Sequence, residues 1–289
     1  MPSKRLLLVD GHGVLYRSYF AIKSLTTKDG RPTNAVFGFV RVLRQLMQVW
    51  QPTHWAVTFD GGIPAERLLR LATYKAQRTP MPDALRAQFP AAEEYLERAV
   101  VTAIRMDRQE ADDVLASLSR RAVDDGAEVL IATADKDLFQ LVNERVHLIA
   151  PSQAAARIGP EEVREKTGVD PGRIVEWLAL TGDSVDNIPG VAGMGPKTAA
   201  KTLNAFGSLD AIWDRIKDVE PARIREALVA TRDQVESNRE VIRLRTDLDC
   251  WPGWERMEAR LEDPVRLIPF FEKMEFRTLA RAAQEPSLF

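Results

Sequence analysis

The chain has 289 residues, 45% of them hydrophobic and 28% charged, which excludes a disordered tail or a collagen-like repeat and suits one large or two small globular units. No apolar run approaches the roughly 20 residues that span a bilayer, and the four before Asp10 are too few for a signal-peptide core, so a soluble cytoplasmic protein with no membrane partner is expected. The formal net charge of −2 hides an asymmetry, because residues 1–90 hold 13 Lys and Arg against 5 Asp and Glu, as a surface that meets a polyanion would.

Residues 5–9 (RLLLV) read as a buried strand ending at Asp10. In residues 35–49, Val36, Val40, Leu43 and Met47 recur about one turn apart and predict a helix. Residues 54–59 (HWAVTF) predict a second strand, ending at Asp60. Residues 61–82 open with Gly61-Gly62, hold Pro64, Pro80 and Pro82, and carry Arg67, Arg70, Lys75 and Arg78, so they read as a mobile basic excursion from the sheet. Residues 111–124 are helical, and 128–134 (EVLIATA) predict a third strand ending at Asp135. This alternation argues for an α/β fold with a mostly parallel central sheet covered on both faces. Strand signals fade from about 160, so we expect an α/β part over 1–165 and a helical part over 166–289.

Three predicted strands each end in an aspartate, and ligands of open parallel sheets bind beyond the strands' carboxyl ends. More acids join Asp10, Asp60 and Asp135: Glu110, Asp112 and Asp113 at a helix start, Asp137, and Asp183 and Asp186 in LTGDSVDN. Singly each reads as a cap or a surface charge; together, nine carboxylates would repel one another without a cation among them. An all-oxygen set suits Mg²⁺ or Mn²⁺, and nine acids exceed what one Mg²⁺ needs; two ions about 4 Å apart fit better. The three histidines lack ligand spacing, and the single cysteine, Cys250, excludes a cysteine zinc site. The run Gly190…Gly195-Pro196-Lys197-Thr198 is not a phosphate loop, because Pro196 separates glycine from lysine and no strand precedes it.

The blocks LLLVDGHGVLYRSY (6–19), VTFDGG (57–62), TYKAQR (73–78), QEADDVLA (109–116), TADKDLFQL (133–141) and LTGDSVDNIPGVAGMGPKTA (180–199) run in order along the chain. On them the chain resembles the 5′-nuclease (flap endonuclease) family, in particular the 5′→3′ exonuclease domain of bacterial DNA polymerase I. The resemblance implies a PIN-like or resolvase-like catalytic part, an arch or clamp over about 61–95, and a helix–three-turn–helix DNA-binding motif over about 177–206. It implies two divalent ions, the first held chiefly by Asp10, Asp60, Glu110, Asp112 and Asp135, the second among Asp113, Asp137, Asp183 and Asp186. Arg17 and Lys75 match basic residues near the scissile phosphate, and Tyr74 a neighbouring aromatic that would stack on an unpaired base; Arg78 is a further DNA contact. Gly193, Gly195, Lys197 and Thr198 would bind a duplex phosphate at a helix start, where the family can also hold K⁺.

The expected activity is two-metal hydrolysis of branched or 5′-ended DNA, including RNA primer–DNA, in replication and repair, by a monomer. The alternatives are a PIN-like metal-dependent ribonuclease and a DNA-binding module that has lost catalysis. No polymerase block follows, so a stand-alone nuclease or a piece of a longer protein is expected. The last six residues, Gln284 to Phe289, resemble a sliding-clamp-binding peptide with the glutamine one place early; a frayed terminus is the competing reading.

Overall fold

The computed structural model describes residues 4–284. The first predicted strand is β1, Arg5–Asp10, and it runs directly into α1, Gly11–Ala21, because the Asp10 carboxylate accepts the Gly13 N–H at 2.8 Å and caps the helix. There follow α2 (Asn34–Trp50), β2 (His54–Phe59), α3 (Ala65–Arg70), α4 (Asp83–Arg86), α5 (Phe89–Arg98), β3 (Thr102–Arg105), α6 (Ala111–Asp124), β4 (Glu128–Ala132), β5 (Val146–Ile149) and β6 (Arg157–Ile158). The remainder is helical: α7 (Pro160–Thr167), α8 (Ile174–Thr181), α9 (Pro196–Phe206), α10 (Leu209–Asp214), α11 (Ala222–Ala230), α12 (Arg232–Ile242), α13 (Trp254–Met257), α14 (Pro264–Lys273) and α15 (Arg277–Gln284).

The six strands lie in the order β3-β2-β1-β4-β5-β6, all neighbours parallel except the β5–β6 pair at one edge. Both faces of the inner strands β1, β2 and β4 are apolar, so these three read as near-continuous hydrophobic runs. Leu6 and Leu8 of β1 pack with Val129 and Ile131 of β4 against α6 and the helices from α7 to α12. Leu7 and Val9 face the other way, into a second cluster that also holds Val36, Phe39 and Leu43 of α2 and Phe270 and Phe271 of α14. The last two helices thus return to the amino-terminal part of the chain. Among the described residues, no helix is long and apolar enough to cross a membrane.

The segment 61–82 differs from the expected loose excursion. It leaves the sheet, but α3 packs beside α12, and Arg67 and Tyr74 are buried, with only 7% and 5% of their surface exposed. Buried ion pairs, described below, hold its first half down; residues 76–80 are exposed.

Candidate active site

β1, β2 and β4 are adjacent and parallel, so their carboxyl ends share one edge of the sheet, where the strand order reverses direction from β1. Asp10 ends β1, Asp60 directly follows β2, and Asp135 lies just past β4. The start of α6 is tied to the same edge, since the Ala111 N–H donates to Asp60 Oδ1 at 2.8 Å. That fit depends on Gly61, which exchanges backbone hydrogen bonds with Gln109 and Arg108; a Cβ there would sit 1.7 Å from the Met106 carbonyl oxygen. Gly61→Ala is therefore expected to destabilise the fold by roughly 3 kcal/mol, read from denaturant unfolding.

These elements enclose a cavity of about 600 Å³. Asp10, Asp60, Asp112 and Asp135 line it, and so do Lys75 and Arg78. Gly13, Tyr16 and Phe20 of α1, spaced three and four residues apart on one helical face, and Val185 supply apolar walls. Phe20 and Val185 are each 66% exposed.

Electrostatics mark the cluster. Burial, reinforced by Asp60 and Asp135, pushes the Asp10 carboxyl up to about 6 despite its bond from Gly13. Burial raises Asp112 and Asp137 well above the usual carboxylate range, with Asp135 the leading neighbouring charge on both, and burial also raises Asp135. Asp137 Oδ1 is buried without a hydrogen-bond partner. The other acids are met by cations: Lys136 Nζ lies 3.1 Å from Asp183, Arg78 donates to Asp186 at 2.6 Å, and Lys75 Nζ contacts Glu110 and stands 3.6 Å from Asp186. Burial opposes the Lys75 charge, but Glu110 and Asp186 outweigh it and keep the amine protonated. Among the described residues, no three His, Cys, Asp or Glu side chains stand close enough to cage an ion as they lie. Asp10, Asp60, Asp112 and Asp135 line the cavity together with Lys75 and Arg78, whereas Glu110, Asp137, Asp183 and Asp186 do not line it themselves. An all-oxygen donor set, crowded enough to raise four carboxyl groups and leave one buried oxygen unpartnered, fits hard divalent cations.

This crowding has a measurable sign. The Asp10 carboxyl binds a proton more tightly folded than unfolded, so its stabilising protonation is complete below the unfolded value near 3.8 and is lost as pH rises through about 6. Asp10→Asn keeps the capping oxygen and removes the charge. Its metal-free melting temperature is expected to exceed that of the parent at pH 8 and to match it near pH 3.5, by calorimetry.

Three expected site residues lie elsewhere than their motifs suggested. Asp113 is fully buried on the other side of α6 from the cavity lining, with its oxygens taken by the Arg67 guanidinium and the Arg245 N–H. Tyr74 does not offer its ring for stacking, because the ring is buried in the core and its hydroxyl points 3.3–3.4 Å from Glu110 and Asp186. Arg17 is exposed on α1 and does not line the cavity. The aromatic walls, Tyr16 and Phe20, escaped the sequence reading, although their spacing from the capping Asp10 was available to it. His12, one of the three histidines without ligand spacing, lines the cavity, and its Nδ1 accepts the Asp60 N–H at 3.2 Å; burial keeps the ring neutral.

In the helical half, the loop that carries Asp183 and Asp186 is closed by paired backbone hydrogen bonds between Asp183 and Ile188. Gly193 adopts φ +78°, and Gly195 precedes α9 without a side-chain cap, leaving first-turn N–H groups beside exposed Lys197 and half-buried Thr198. Residues 285–289 of the clamp-peptide match lie outside the described residues.

Comparison with known proteins matches two family models end to end: "5'-3' exonuclease, N-terminal resolvase-like domain" over residues 5–168, and "5'-3' exonuclease, C-terminal SAM fold" over 169–264. A 5'-3' exonuclease of Aquifex aeolicus is 36% identical over 296 residues, covering 99% of this chain and 100% of that protein. DNA polymerase I of Rhizobium leguminosarum is 38% identical over 97% of this chain, and the thermostable DNA polymerase I of Thermus aquaticus is 38% identical over 96%. The chain spans only 28% and 33% of those two polymerases. Among solved structures, the T5 D15 protein co-crystallised with metal ions superposes with a TM-score of 0.70 at 20% identity, covering 83% of this chain and 89% of that one. The catalytic core of Rad2 in complex with a DNA substrate gives 0.64 at 17% identity, covering 99% and 92%; at such identities these likenesses show a shared fold. With both family models matched in order and a full-length relative at 36% identity, the chain belongs to the 5′-3′ exonuclease family.

Proposed function

We propose that the protein hydrolyses phosphodiesters of DNA at 5′ flaps, 5′ overhangs and nicks, leaving a 5′-phosphate and a 3′-hydroxyl, as a monomeric cytoplasmic enzyme of replication and repair. The observation that carries this reading is the presence of Asp10, Asp60, Asp112 and Asp135 on one cavity that Lys75 and Arg78 also line. Carboxylates without the basic side chains would suit an ion store, and the basic side chains without carboxylates a binding surface. Together they suit the chemistry of a phosphodiester.

Asp10, Asp60, Glu110, Asp112 and Asp135 would hold one Mg²⁺ or Mn²⁺, with Asp137, Asp183 and Asp186 toward a second. Bound there, the ions would supply the charge that activates an attacking water and stabilises the departing oxygen. The chain's own groups do the rest. Lys75, released from Glu110 and Asp186, places its ammonium against the phosphate, and Arg78 adds a second cation from the exposed half of the arch. Tyr16, Phe20 and Val185 present apolar surface to an unpaired base and keep bulk water from the cleft. Arg17, one residue past Tyr16, reaches a phosphate outside the cavity.

The start of α9 takes a duplex phosphate farther along the DNA through its free N–H groups, Lys197 and Thr198, and the backbone carbonyls near Gly193 and Gly195 can accept K⁺. Lys197→Ala should weaken flap binding evenly across sequences and lower the slope of log affinity against log salt by about 1, measured in Ca²⁺ by fluorescence anisotropy.

The deciding experiment offers end-labelled 5′-flap DNA, 3′-flap DNA and an RNA hairpin in Mg²⁺, Mn²⁺ and EDTA. Cleavage of the 5′ flap alone, abolished by EDTA, is expected. Preferential cutting of the RNA hairpin would make the protein a ribonuclease; tight flap binding with no cleavage in either metal would make it a binding module.

A further inference from the structure

We propose that Arg67 is a positioning residue for the carboxylate cluster, and that Asp113 is its counter-ion and not a ligand to metal. The proposal rests on reading that cluster as the metal site.

Arg67 is buried and spends all five guanidinium hydrogens. Nε donates to the Val241 carbonyl at 2.9 Å, and Nη2 to Asp113 Oδ1 at 2.8 Å and the Arg243 carbonyl at 3.4 Å. Nη1 donates to Asp113 Oδ2 at 2.9 Å and to Glu110 Oε2. Asp113, 0% exposed, also accepts the Arg245 N–H at 2.9 Å, so three N–H groups besides the Glu110 contact converge on its two oxygens. A cation could reach it only by breaking a bidentate fork, the strongest pairing available to a carboxylate in a protein interior.

Glu110 is divided differently. One oxygen rests on Arg67, while the other meets Lys75, which lines the cavity. Arg67 therefore fixes the rotation of Glu110 and leaves Oε1 as the oxygen an ion can take over from Lys75. The same guanidinium joins three segments: α3 at the foot of the arch, the start of α6, and the end of α12 with the residue that follows it. Their alignment sets how far Lys75 stands from the acids. Ser237 Oγ donating to the Arg70 carbonyl at 3.1 Å and the Arg70–Glu240 pair at 3.5 Å tighten the same seam.

Mn²⁺ titration of the full chain, followed by electron paramagnetic resonance alongside thermal melting, tests this without turnover. Arg67→Met should weaken Mn²⁺ binding at least tenfold. Asp113→Asn should keep it within threefold of the parent while lowering the melting temperature, whereas Asp112→Asn should lose tenfold or more. Should a single variant fail to fold because one buried charge is left alone, Arg67→Met with Asp113→Leu removes both charges. This double variant should melt above either single one yet still bind Mn²⁺ tenfold more weakly, which a purely structural role would not produce. Loss in Asp113→Asn equal to that in Asp112→Asn, or parental Mn²⁺ affinity in the double variant, overturns the proposal alone. A parent protein that binds no Mn²⁺ overturns the metal reading and the proposal together.

Discussion

Asp10→Asn and Asp135→Asn are each expected to cut Mg²⁺-dependent cleavage of a 5′ flap by roughly 10³-fold or more, the scale on which loss of one group stabilising transition-state charge is felt. Both sit where the crowding is greatest: Asp10 feels Asp60 and Asp135, while Asp112 feels Asp135 and Asp10. Asparagine preserves the local architecture. Asp10 still accepts from Gly13, and Asp135 still accepts the Asp137 N–H, now 2.9 Å away, that starts the next turn. The losses should therefore appear in single-turnover rates, with circular dichroism unchanged. Asp83→Ala, at a side chain 98% exposed and outside the cavity lining, is the matched control and should retain parental rates. Parental turnover in both asparagine variants would end the nuclease assignment.

Lys75→Ala should slow single-turnover cleavage roughly 10²- to 10³-fold at saturating Mg²⁺, with flap affinity changed far less. The lysine is anchored at both ends: its N–H donates to the Asp186 carbonyl at 2.9 Å, and its ammonium lies between Glu110 and Asp186. It is thus held at the acid cluster by the chain itself and need not be recruited by DNA. Removing it leaves two carboxylates with less compensating charge, so the metal-free variant should also melt lower, and Mg²⁺ should restore more stability to it than to the parent. A cleavage rate within threefold of the parent would show that the ammonium serves only as the metal-free counter-charge.

The strand-end aspartates were legible because each rule involved is local: an apolar run, a turn residue after it, and a shared edge for parallel strands. What spacing could not decide was the side of α6. Asp112 and Asp113 are neighbours, and one step of about 100° around the helix turns the first to the cavity and the second to Arg67. Only partners distant in sequence reveal this, since the guanidinium meets Glu110 across 43 residues and Val241 across 174. For the same reason a segment rich in Pro, Gly and Arg read as loose. β3 was missed because it is a four-residue edge strand in which only Ile104 is buried, and β5 because His147 breaks its short apolar run.

The returning tail constrains any attempt to dissect the molecule. Family resemblance divides the chain near 168, yet α14 lays Phe270 and Phe271 beside Tyr95 of α5, and Phe276 meets Phe37 of α2 at 5.1 Å. A fragment ending at 168 would keep seven of the nine acids but strip the covering from a whole aromatic surface, and would be prone to aggregate. The tail works as a keystone, so the first third of the sequence cannot close over its aromatic surface until residues 264–284 have been made.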